Sequence, residues 1–317
     1  MDKLDFKILQ ILDWHGRQPL TTIAKSVGSS KDVVSYRIRK LEQDHVIVRY
    51  FPLIDMSRLG YITSRLYFDL EEMSQEEENG FLHFLDKTIK AGLIFRMDYP
   101  YRYGIFLWTS SVYDIEEAIR KIKQHLGSML IKYHHSIICS FHQYPKDYLF
   151  GKKQHETSIH LGPKEKTKKE KVSVDDQDVK ILQQLAHHAR MSTVEIASRT
   201  GIPQTTVSSK IKQLEERDII LGYRAEIDFV KLGFMNYFLE IYLDTNDNLK
   251  QIEQWAHANP NVVWLQKIIG TCDIEIEVEV KDRVALEVFL NELRTRFSNI
   301  RKIIFFSQVY KKMTFLP

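Results

Sequence analysis

The sequence is poor in cysteine: Cys139 and Cys272 are the only two in 317 residues. They are too few and too far apart for a disulfide framework or a metal-spaced cluster. No apolar run approaches the roughly 20 residues that span a bilayer. The opening "MDKLDFKILQ" lacks the long apolar core of a signal peptide. Neither a disulfide-stapled secreted domain nor a membrane span is expected, and the expected compartment is the reducing cytoplasm. Charge of one sign is also scarce, with 45 Lys and Arg against 42 Asp and Glu and a net charge of +3. That balance permits a nucleic-acid partner without arguing for one, because binding depends on where the charge lies. What is present is core material: 44% hydrophobic and 11% aromatic residues, ample for two or more packed domains.

The strongest signal is internal repetition. An ungapped offset of 173 pairs Asp5 with Asp178, Arg17 with Arg190, Ile23 and Ala24 with Ile196 and Ala197, and Leu59 and Gly60 with Leu232 and Gly233. Residues 5–60 carry 22 identities in 56 positions under that offset, beyond what chance gives without gaps. Most matches are apolar or turn residues, so the copies share a fold and differ in surface chemistry.

Each copy begins with two short helical patterns and a third. Apolar residues at Leu4, Ile8, Ile11 and Leu12 give the first helix, and "TTIAKSVG" gives a second ended by Gly28. Ser30 is a good N-cap for the third, and Pro203 takes that place in the second copy. Ser192 and Glu195 spell a capping box before the second copy's middle helix. In the third helix Val34, Ile38 and Leu41, like Val207, Ile211 and Leu214, form an apolar stripe. The opposite face carries hydroxyls, amides, a phenol and cations, the groups that reach base edges and phosphates. The candidate DNA-binding residues are Lys31, Ser35, Tyr36, Arg37, Arg39 and Lys40 in the first copy. In the second they are Gln204, Thr205, Ser208, Ser209, Lys210 and Lys212. The stretches "VIVRYFPLI" and "IILGYRAEI" then alternate like a strand or hairpin, so three helices and a trailing hairpin describe a winged helix-turn-helix.

Beyond residue 60 the pattern changes to strand, helix, two strands, helix and strand, and the second copy repeats it. The fold class is therefore α+β, with two repeats, each a winged helix-turn-helix followed by a ferredoxin-like βαββαβ domain. The expected boundaries are 1–55 and 174–228 for the winged helices and 60–145 and 233–317 for the ferredoxin-like domains. A basic linker covers 146–173. Its stretch 151–173 holds seven lysines and three glutamates and reads as a solvated tether.

The chain resembles the Lrp/AsnC (feast/famine) transcriptional regulators. The residues that carry the resemblance are "LDFKIL", Arg17, Ile23, Ala24, Gly28, "VSYRIRKLE", Ile54, Asp55, Leu59 and Gly60, most of them recurring 173 residues later. The family implies a DNA-binding winged helix joined to a sensing, dimerising domain of RAM/AsnC type, normally one copy per chain. Two copies make a fused pseudo-dimer, with further homo-oligomerisation left open and double-stranded DNA as partner. The resemblance also implies a small effector, such as an amino acid, bound at a loop carrying glycine and aspartate. The second copy keeps that loop as "GTCD", so Gly270, Thr271 and Asp273 are its candidate lining, whereas the first copy has "PYRY". The glycine usual before the wing is replaced by His45 and Asp218.

No cofactor, metal, membrane contact or catalytic set is expected. His134 with His135, and His187 with His188, are sequence neighbours that diverge on any regular element. Along "CDIEIEVEV", Ile274, Ile276 and Val278 should face the helices. Glu275, Glu277 and Glu279, with Glu240, should then form an acidic sheet face opposite Arg65 and Arg96 of the first half. Two alternatives remain. One is an enzyme similar to siroheme decarboxylases, with Arg96, Arg102, His134 and His135 holding tetrapyrrole carboxylates and a Soret band as its mark. The other is a regulator acting through protein partners alone.

Overall fold

The computed structural model describes residues 1–150, 158–163, 172–245 and 247–313, with side chains in the last strand described as far as residue 309. The first half runs α1 (Lys3–Trp14), α2 (Leu20–Val27), α3 (Lys31–Gln43), β1 (Ile47–Ile54), β2 (Ile62–Leu70), α4 (Gln75–Lys87), β3 (Leu93–Met97), β4 (Tyr103–Thr109), α5 (Val112–Leu126) and β5 (Leu130–Gln143). After a short β6 (Ile159–Leu161), the second half repeats the order. It runs α6 (Asp176–His187), α7 (Thr193–Thr200), α8 (Gln204–Glu216), β7 (Ile220–Ile227), β8 (Met235–Leu243), α9 (Leu249–Ala258), β9 (Val262–Ile269), β10 (Ile274–Val280), α10 (Arg283–Arg296) and β11 (Ile300–Met313).

Local chemistry sets the helix ends. Asp2 and Asp175 cap α1 and α6 in matching boxes with Asp5 and Asp178. Gly28 and Gly201 close α2 and α7 at φ 68° and 71°, the left-handed conformation that glycine adopts without a Cβ penalty. Ser30 accepts the Val33 N–H as expected of an N-cap. Only half of the box expected at Ser192 forms. Its hydroxyl takes the Glu195 N–H, but the Glu195 carboxylate turns to Arg199 one turn along the helix at 2.9 Å.

The trailing strand does not fold back as a hairpin in either copy. β1 instead pairs antiparallel with β7, so the two heads share one two-stranded ribbon. A lone eight-residue strand leaves its backbone donors and acceptors unsatisfied, and the other copy supplies the partner. The ribbon also exchanges core residues. Ala189, Ala225 and Ile227 pack into the first head's core, and Ile54 and Met56 into the second's.

The two ferredoxin-like sheets join edge to edge at both sides. The strand order β2-β4-β3-β11-β8-β10-β9-β5 closes through a β2–β5 pairing, giving an eight-stranded ring with β6 attached to β5. Closure removes the free edges that each four-stranded sheet would otherwise present. The helices cover the outside: Leu66, Phe68, Ile94 and Ile105 pack toward α4 and α5, and Leu239, Ile274, Ile276 and Val278 toward α9 and α10. The inside holds aromatic residues, among them Tyr67, Phe95, Phe106, Phe238 and Phe306.

It also holds the acidic face. Glu240, Glu275, Glu277 and Glu279 are at most 4% exposed, and Arg65 reaches across from the other half to pair with Glu275. Arg96 departs from the expectation. It shares the outer face with Ile94 and pairs with Glu78 of α4 at 3.6 Å. The linker departs too, since residues 159–161 add a strand to β5, the Gly162 N–H donates to Asp55, and Val172 and Val174 pack on the second head. Most of its lysines lie outside the described residues.

Candidate functional site

α3 and α8 bury their stripes, Val34, Ile38 and Leu41 in one and Val207, Ile211 and Leu214 in the other, and leave their polar faces outward. Lys31, Tyr36, Arg39 and Lys40 are exposed, and so are Gln204, Thr205, Ser208, Ser209 and Lys212; Ser35 is half-buried. Two of the candidates point elsewhere. Arg37 pairs with Asp2 at 2.9 Å and Asp5 at 3.3 Å. Lys210, its equivalent, pairs with Asp175 at 2.6 Å and Asp178 at 3.0 Å. Both lock the third helix to the capped start of the first, and neither extends toward a ligand. The remaining cations are unequal: Lys31, Arg39 and Lys40 on α3 against Lys212 on α8, which leans on Glu216 at 3.5 Å.

A brace joins the heads, and it was not read from the sequence. Arg17 Nη1 donates to the carbonyls of Ala189 and Met191, and Arg190 Nη1 donates to that of Gly16. The Arg17 guanidinium lies 5.3 Å from the Tyr223 ring centroid, and that of Arg190 5.1 Å from the Tyr50 ring centroid. Each tyrosine in turn donates its hydroxyl to a third-helix glutamate, Tyr50 to Glu42 and Tyr223 to Glu215. All six residues are related by the 173 offset. Polar identities on an otherwise apolar skeleton were the signal that could have found the brace.

The loop at 270–273 sits where the halves meet. Gly270 adopts φ 145° so close to β5 that a Cβ would lie 2.5 Å from the His135 carbonyl oxygen. Thr271 Oγ1 lies 3.1 Å from Ser136 Oγ. Asp273 accepts the Leu243 N–H at 2.8 Å, which holds the carboxylate at the end of β8. In the first half Tyr101 of "PYRY" turns inward and stacks on Tyr67 at 4.8 Å. The four residues considered for a tetrapyrrole do not converge. Arg96 pairs on the outside, Arg102 donates to the Glu71 carbonyl, His135 lies with Tyr133 beside α5, and His134 lies beside Tyr101 inside.

Residues 1–48 and 174–220 match the winged helix-turn-helix DNA-binding family, and residues 236–315 match the Lrp/AsnC ligand-binding domain. The chain is 33% identical over 125 residues to the Bkd operon transcriptional regulator of Pseudomonas aeruginosa, covering 38% of this chain and 82% of that one. It is 31% identical over 112 residues to the proline dehydrogenase transcriptional activator of Rhodobacter capsulatus, covering 34% and 73%. The structure of the siroheme decarboxylase NirDL superposes with a TM-score of 0.62 over 98% of this chain and 93% of that one. At 13% identity that likeness is one of fold, the tandem architecture itself.

Winged helices that present polar third helices, joined to a ligand-binding sheet domain, define a DNA-binding transcriptional regulator. The chain belongs to the Lrp/AsnC family, with the family's unit present twice.

Proposed function

We propose that this regulator reads two unlike DNA half-sites with its two heads and answers to a small effector at the 270–273 loop. The observation that carries the first part is the inequality of the reading faces, three exposed cations on α3 against one on α8. Two separate copies of a single-copy chain present identical heads and favour a palindrome, whereas a fused pair can change one head alone. The half-sites would lie about 34 Å apart if one helical turn separates them. Ser35, Tyr36, Gln204, Thr205, Ser208 and Ser209 would read base edges, and Lys31 and Lys40 would sit on phosphates.

The test is binding of selected genomic fragments at fixed salt. Arg39→Ala should cost about 1–3 kcal/mol if Arg39 grips a guanine in bidentate fashion, and Lys212→Ala should cost less. Equal losses over a symmetric site would refute the asymmetry. The same titration in the presence of each amino acid tests the effector, for which Gly270, Thr271 and Asp273 are the proposed lining. An amino acid that shifts operator affinity in the parent should leave Asp273→Ala unmoved.

A siroheme-decarboxylase-like activity is a second reading favoured by the tandem fold likeness. The side chains named for it are dispersed over both faces of the sheet, which counts against it.

A further inference from the structure

Between the head ribbon and the end of the sheet ring lies a cavity of about 610 Å³, the size of a small-molecule site. Phe51 and Ala225 of the ribbon roof it, and Asn236, Trp264, Glu277 and Glu279 of the second sheet form its floor. It shares no residue with the 270–273 loop.

Three features define what it would hold. Its mouth is apolar: Val48, Val230, Met235 and Val309 all line it and are 51%, 66%, 44% and 63% exposed. Large hydrophobic side chains left in water around one opening are a mark of a ligand site.

Its charge is negative. Asp13, Glu226, Asp228, Glu277 and Glu279 line it against Lys146 and Arg224, and with Arg49 paired to Glu226 at 2.5 Å the carboxyl groups outnumber the cations by two. Lys146 engages one oxygen of Glu279, and Arg224 is committed to Asp13.

Its unmet hydrogen-bonding capacity is of one kind. Gln143 Oε1 and Asn236 Oδ1 are buried without a partner, in residues 1% and 3% exposed. Both are acceptors, and the Asn236 amide is fixed because its Nδ2 donates to Glu277 Oε1 at 2.6 Å. Buried acceptors without donors are costly, and a primary ammonium brings three donors and a positive charge on one atom.

We propose that this cavity binds a small primary amine with an apolar, ring-sized body. The ammonium would sit among Glu277, Glu279, Gln143 and Asn236, with the body against Trp264 and the valine-rich mouth. A carboxylate ligand is disfavoured there by the same charges. Because the roof is the ribbon that joins the heads, occupancy would bear on head geometry. That coupling rests on the regulator reading, while the site itself does not.

Isothermal titration of the full chain without DNA, using tryptamine and its anionic counterpart indole-3-propionate, tests the site. Tryptamine is expected to bind and indole-3-propionate to bind at least tenfold more weakly. Glu277→Gln should weaken tryptamine at least tenfold. It keeps the Asn236 contact and removes a buried charge, so a folding failure is not expected, and circular dichroism checks this. Val230→Lys, at an exposed position on the mouth, should weaken tryptamine severalfold by repulsion. No binding of tryptamine, equal binding of the two probes, or full affinity in both variants would overturn the proposal. A chain that binds tryptamine but no DNA would overturn the regulator reading and leave this site standing.

Discussion

Glu277 shows how much one side chain can take from the stability of this fold. Burial, with the nearby Glu279 adding to it, raises its carboxyl to about 7, against the usual 4.5. The hydrogen bond from Asn236 opposes that rise, and Lys146 and Arg65 oppose it more weakly. A carboxyl whose folded pKa is raised imposes no penalty below the unfolded value. The penalty then grows between pH 4.5 and 7 and is complete above. Glu277→Gln should therefore stabilise the chain by roughly 3 kcal/mol above pH 7 and by almost nothing near pH 4.5. Chemical denaturation of parent and variant across that range decides it, and a pH-independent difference would show that the carboxyl is not buried as a charge. The parity of alternating residues was enough to place Glu277 inside. Its neighbours were not legible, since Asn236 and Lys146 come from distant parts of the chain.

At the scale of elements, the duplicated brace is the feature that ties reading helix to opposite head. Arg17 and Arg190 each lie over a tyrosine whose hydroxyl holds the third helix of the tyrosine's own copy. Arg17→Ala should cost about 2 kcal/mol, the order for lost hydrogen bonds from a charged donor. Arg17→Lys should recover only part of that, because an ammonium cannot reproduce the planar guanidinium over the Tyr223 ring. Denaturant titration of the three chains measures it, and full recovery by lysine would leave only the charge as the contribution. The order and type of elements were readable from period and turn chemistry. Even the missing glycines before the wing left a trace, since His45 and Asp218 adopt φ 53° and 54° where the family has glycine. The cross-paired ribbon was not readable, because a lone alternating strand does not say which strand it will meet. Arg96 was misplaced for a related reason. Parity assigns alternating faces, but the choice of which face meets the helices depends on a register fixed only on folding.

The whole molecule is a ring made from two unlike halves, and charge distinguishes the correct pairing from the wrong ones. Two copies of the second half facing each other would bury Glu240, Glu275, Glu277 and Glu279 twice, without Arg65 to offset Glu275. Fragments 1–150 and 172–317, produced separately and mixed, should form a one-to-one complex, and fragment 172–317 alone should aggregate through its open edges. Size-exclusion chromatography with light scattering would show it. A stable homodimer of 172–317 would mean that charge does not select the pairing.

Sheet closure within one chain also changes the arithmetic of dosage. A regulator assembled from separate subunits loses its second head by dissociation when it becomes scarce, so its occupancy of DNA falls more steeply than its abundance. Here β3 already meets β11 and β5 already meets β9 inside the chain, so the second head arrives with the first. The local concentration of one head beside the other is set by geometry and not by expression level. A cell holding a handful of copies would still have that number of chains with both heads in place.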